Sequence, residues 1–138
     1  MTAQAASPEF LYLTSNADGV NPVAAAGADG AFIGSNGAAA KAGDVLVVYA
    51  LGLGATDPPQ TDGVPAPGAA IVALPVGVTI GGVALGATDI LYAGVTPSYI
   101  GLYQVNLRVP AGVASGRQPI VITVGTNQSP TLGYLTMQ

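Results

Sequence analysis

A chain of 138 residues, half of them hydrophobic, suits one domain with a real core and is too apolar to remain disordered. Seven carboxylates (Glu9, Asp18, Asp29, Asp44, Asp57, Asp62 and Asp89) against Lys41, Arg108 and Arg117 leave a net charge of −4; three scattered cations exclude phosphate-neutralising contact with nucleic acid and a polybasic membrane patch. Cysteine and histidine are both absent, which removes disulfides, thiolate nucleophiles, zinc–thiolate sites and any Ser-His-Asp triad.

Residues Met1 to Ala6 lack the basic and apolar regions of an intact signal peptide, and the small residues "AQA" are read as a boundary rather than the tail of a cleavage site. "EFLYLT", with Glu9, Phe10, Leu11, Tyr12 and Leu13, predicts an edge strand that either pairs within the chain or is donated to a neighbour. Asp18-Gly19 and Asp29-Gly30 follow as turns, so residues 1–35 form an N-terminal strand region whose pairing is open. "GAAAKAG" is bounded by glycines too closely for more than one helical turn.

"DVLVVYALG", Asp44 to Gly52, is nearly continuous in apolar and β-branched residues, as expected of a central strand covered on both sides. Residues 52–70 carry four prolines and no periodicity, predicting a long Pro/Gly-rich loop. In "LPVGVTIGGVAL", Val76, Val78 and Ile80 alternate with small or polar residues before a Gly81-Gly82 hairpin turn. "TDILYAG" predicts a strand over Thr88 to Gly94. In "YQVNLRV", Tyr103, Val105, Leu107 and Val109 alternate with Gln104, Asn106 and Arg108, the mark of a half-buried antiparallel strand. A Gly-rich stretch, Ala111 to Gly116, leads to "PIVITVG", and the two strands read together as a hairpin with a long connection. "TLGYLTM" closes the chain as a further strand. About seven to nine short strands with Gly and Pro punctuation and no helix signal predict an all-β, antiparallel β-sandwich over residues 1–138.

The blocks "AGDVLVVYALGLGATDPPQTDGVPAP", "VTIGGV" and "ILYAGVTPSYIGLYQVNLRVPAGVASGRQPIVITVG" resemble an uncharacterised C-terminal domain family found at the ends of large secreted, mainly acidobacterial proteins. More distantly, the Gly-Gly hairpin, the strand ending in "VP" and the following Gly turn are similar to the IPT/TIG group of immunoglobulin-like domains. The resemblance implies an immunoglobulin-like fold, export and a place in modular surface architectures. It carries no activity, cofactor or catalytic residue.

Weighed as sites, the carboxylates before glycine are turn residues. Asp57 and Asp62 share the long loop and are the only weak calcium candidates, without "DxDxDG" spacing. Among the tyrosines, Tyr49 and Tyr103 are expected to pack on core-facing patterns, while Tyr99 in "TPSYIG" is the one expected to be exposed. Gln104, Arg108 and Tyr99 are therefore the candidate ligand or partner contacts. The expectation is a non-catalytic structural or adhesive module, outside the cell or on its surface, with other domains or copies of itself as protein partners. It takes no cofactor and does not insert into a membrane. A filament subunit joined by strand donation and a carbohydrate-binding module are the alternative readings.

Overall fold

The computed structural model describes residues 8–13, 16–27, 30–33, 39–57, 68–99, 102–131 and 133–138. Among them lie the strands β1 (Glu9–Phe10), β2 (Asn21–Pro22), β3 (Ala25–Ala26), β4 (Val45–Leu51), β5 (Thr56–Asp57), β6 (Ile71–Val72) and β7 (Val76–Ile80). They continue with β8 (Val83–Ala84), β9 (Ile90–Val95), β10 (Tyr103–Arg108), β11 (Gly116–Val124), β12 (Asn127–Gln128) and β13 (Gly133–Met137). A single 3₁₀ turn, Ala87–Asp89, is the only helical element among the described residues. The chain is thus nearly all β.

The strands form two sheets. The seven-stranded sheet runs β1-β4-β10-β9-β6-β5, with β3 also on β4; the six-stranded sheet runs β2-β13-β11-β7-β8, with β12 on β11. Every strand pairing is antiparallel except that of β13 with β2. Leu46, Val48, Ala50, Val105 and Leu107 from the first sheet meet Val78, Ile80, Ile120, Ile122, Val124, Leu135 and Met137 from the second in one buried cluster. Two antiparallel-rich layers over a shared apolar interior make a β-sandwich-like arrangement.

The alternating patterns land as expected. Val105, Leu107, Ile120, Ile122 and Val124 are each at most 1% exposed. Gly81 and Gly82, at φ 58° and 82°, close β7 onto β8 through the pair Ile80↔Val83, as a two-residue turn with both angles positive requires.

Four expectations change. Thirteen strand segments lie among the described residues where about seven to nine strands were expected, because seven of the segments are two-residue pairings too short to show a period. β10 and β11 are not a hairpin: β4 and β9 occupy both edges of β10, so the chain after Pro110 crosses to the other sheet. β4 is covered on one face only, since Val45 and Leu51 are 37% and 40% exposed while Leu46, Val48 and Ala50 are buried. The 52–70 segment is not loop throughout: Leu53 is fully buried, and β5 pairs with β6 through Thr56↔Val72 and Asp57↔Ile71. Residues 58–67, including Asp62, lie outside the described residues.

The N-terminal segment pairs within the chain. β1 runs antiparallel to β4 through Glu9↔Leu51 and Phe10↔Ala50, and the Leu11 N–H donates to the Tyr49 carbonyl at 3.1 Å. The chain then bridges the layers: the Val23 N–H donates to the Tyr134 carbonyl at 3.1 Å in one sheet, and the Tyr49 N–H to the Ala24 carbonyl at 3.0 Å in the other. Phe10, Val23 and Ala25, at most 2% exposed, plug the side of the core that this segment crosses.

Candidate functional surface

The outer face of the seven-stranded sheet follows from pleating. With Leu46, Val48 and Ala50 inward, Val45, Val47, Tyr49 and Leu51 point outward along β4. Register then aligns their neighbours in transverse rows. One row runs Tyr49, Gln104, Gly94, Ile71, Asp57, and the next runs Ala26, Val47, Asn106, Tyr92. Arg108 lies opposite Val45 at one end of β4, and Glu9 opposite Leu51 at the other. Tyr49 therefore faces out, not into the core as its apolar context suggested.

The polar groups of this face are held by the scaffold. Gln104 Nε2 donates to Asn106 Oδ1 at 2.9 Å. Arg108 lies 3.7 Å from Asp89, with side chains 46% and 27% exposed, a surface pair worth at most about 1 kcal/mol. The Tyr92 hydroxyl donates to the Val95 carbonyl at 2.7 Å and accepts from the Ala70 N–H at 3.3 Å, laying the ring over Gly94. Asp57, on β5, is exposed, and no group of three or more Asp, Glu, His or Cys among the described residues is placed to hold a metal. Large apolar side chains, in contrast, stand bare: Leu51 at 40% and Ile71 at 59% exposed.

The hairpin between β9 and β10 carries an exposed ring. The Tyr99 N–H donates to the Thr96 carbonyl at 3.3 Å, with Pro97 and Ser98 between them and Ser98 at φ 73°. Proline followed by a positive φ is the pattern of a type II turn, whose third position normally takes glycine. Tyr99 at its end is 58% exposed, as expected, and Thr96 Oγ1 is buried without a hydrogen-bond partner.

Two tyrosines sit at the margins of the core. Burial raises the Tyr103 pKa; its hydroxyl donates to the Gly54 carbonyl at 2.6 Å. Burial first, and the Glu9 carboxylate second, raise that of Tyr12. On the smaller sheet Arg117 stacks on the Tyr134 ring, 4.6 Å from its centroid, and reaches Asp18 at 3.5 Å. Asp18 also accepts from the Val20 N–H at 3.1 Å, the turn role its glycine neighbour implied.

The sequence pattern thus placed Tyr99, Gln104 and Arg108 at the surface but gave no sign that Val45, Val47, Tyr49, Leu51 and Ile71 also face outward. The strict alternation of burial along β4 is invisible when both faces of a strand are written in apolar letters. Among the described residues no helix is long and apolar enough to cross a membrane. No family model, no curated protein and no solved structure matches the chain.

Proposed function

We propose that the chain is a non-catalytic, immunoglobulin-like structural or adhesive module of a secreted or cell-surface protein, working through contact with other protein. The observation that carries this is the outer face of the larger sheet. There Gln104 bonds to Asn106, Arg108 pairs with Asp89 and Tyr92 bonds to backbone, while Val45, Leu51 and Ile71 stay uncovered. Apolar side chains on a rigid sheet, with polar groups around them, have the anatomy of a contact surface. The resemblance of the 42–125 blocks to immunoglobulin-like domains of exported proteins supports the topology and location proposed.

The short edges favour this reading over a filament joined by strand exchange. The end strands β1, β5, β2 and β8 have two residues each, and β2 ends in Pro22; short strands and proline are devices that discourage edge pairing. The test is location and state together. Surface-protease shaving of source cells is expected to release fragments recognised by an antibody to the purified chain, and electron microscopy of that chain is expected to show discrete particles. Detection confined to the cytoplasm overturns the exported module, and long fibres in place of particles favour strand exchange.

A further inference from the structure

The outer face of the larger sheet is self-complementary. Glu9 and Arg108 flank β4 on opposite sides and at opposite ends, opposite Leu51 and Val45 respectively. They are separated by six residues along the strand, roughly 20 Å, and two strand spacings across it, roughly 10 Å. The midpoint between them falls on β4 at Val48. A two-fold axis lying in the interface over that point places Arg108 of one copy against Glu9 of the other, twice. The same operation crosses the two β4 strands over Val48 and brings Val47 towards Tyr49, a smaller side chain against a larger one. An isologous contact demands that residue i meet j while j meets i, and these two pairings, each made twice, satisfy it.

We propose that this face binds a second copy of the chain, with β4 crossing β4 and Glu9 paired with Arg108 at both ends. Charge selects this occupant. Glu9 and Arg108 carry opposite signs at the two ends of the apolar stripe, so a copy rotated about the in-plane two-fold meets attraction at both. Asp89 competes for the arginine, but at 3.7 Å and largely in solvent it holds only a loose pair. Asp57, at the far edge on β5, lies beyond the stripe.

The size of the face sets the strength. Seven residues of β4 and the five strands from β1 to β6 span a flat area of roughly 400 Å² before side-chain relief. That is the small end of specific interfaces, where association is weak and reversible, so dissociation constants of roughly 10 µM to 1 mM are expected. This pairing goes beyond the module reading, and a monomeric chain would leave that reading to its own test.

The experiment is sedimentation equilibrium of the full chain up to about 1 mM, with Glu9→Arg, Arg108→Glu and the double swap, each checked for folding by thermal melting. Two symmetry-related ion pairs turned repulsive are expected to weaken association by about tenfold in either single variant. The double swap, which restores both pairs with signs reversed, is expected to return within about threefold of the parent. Glu9→Arg makes the test without touching the Asp89 contact, so a folding defect in Arg108→Glu does not decide it. A parent that stays monomeric at 1 mM overturns the proposal. So does association that ignores the single variants, or a double swap no better than either of them.

Discussion

Replacing Gly94 with alanine tests how the 52–70 segment is tied into the larger sheet. Gly94 is the only β9 residue in register with β6, through Ile71, and Tyr92 folds its ring across it. A Cβ there would collide with the Ala70 carbonyl oxygen and come within 2.7 Å of the Tyr92 hydroxyl oxygen. The ring can rotate away, but the carbonyl belongs to backbone and accepts from the Val95 N–H at 3.0 Å. Overpacking of this kind costs about 1–3 kcal/mol, and displacing the Tyr92 hydroxyl loses a hydrogen bond worth about 1 kcal/mol more. A total near 3 kcal/mol lowers the Tm of a chain this size by roughly 10 °C. Hydrogen exchange read residue by residue locates the damage. Protection is expected to fall at the Ala70 and Val95 amides and to hold at Ile120 and Val121 in the other sheet. Adding Tyr92→Ala removes the ring but not the carbonyl, so the double variant stays destabilised. A loss under about 0.5 kcal/mol for Gly94→Ala, or full rescue by Tyr92→Ala, refutes the account of a backbone obstruction.

Three further outcomes are expected. Because the folded state raises the tyrosine pKa of Tyr103 and Tyr12, it holds those protons more tightly than the unfolded chain; stability is complete below their usual value of 10.0 and falls as pH rises past it. Tyr103→Phe removes part of that alkaline slope in pH-dependent melts, and an unchanged slope counts against burial as its cause. Ser98→Gly relieves the positive φ and is expected to raise stability by about 0.5–1 kcal/mol, after the glycine's greater freedom when unfolded is subtracted; a lower Tm disproves the strain. Ser129, 1% exposed, accepts the Ile122 N–H on its Oγ at 3.0 Å in the gap between β13 and β12. Ser129→Ala orphans that amide and is expected to cost about 1–3 kcal/mol by chemical denaturation, an unaffected midpoint being the contrary result.

The legible parts of this chain are those where one side chain in two must be apolar. β10 and β11 announce themselves because Gln104, Asn106 and Arg108, or Thr123, mark the other face. β4 hid its faces because Val47, Tyr49 and Leu51 are as apolar as Leu46 and Val48; only the neighbouring strands decide which set is covered. Two-residue strands such as β3 and β5 carry no period at all, and their pairing is imposed by the strands they meet. Which sheet a strand joins is equally unwritten: Ala111 to Gly116 has the composition of a hairpin turn, yet both edges of β10 are already taken. Ser98 shows the reverse failure, a residue whose letter gives no sign of the backbone angle it adopts.

The contrast between the two outer faces says more about the work of this protein than any single residue. On the smaller sheet the outward ring, Tyr134, is 8% exposed, roofed by Arg117 and bonded at its hydroxyl by the Asn16 amide at 3.3 Å. That cover uses one of only three cations in the sequence. On the larger sheet no cation roofs the bare apolar side chains: Arg108 pairs with Asp89, leaving Leu51 and Ile71 in water. Uncovered apolar surface costs roughly 25 cal/mol for each Å² it keeps hydrated, and a chain with few charges has little else to keep it dispersed. The same side chains become favourable the moment another surface removes that water. On the reading proposed above, the covered Tyr134 ring of one face and the bare Leu51 and Ile71 of the other place the contact on the larger sheet.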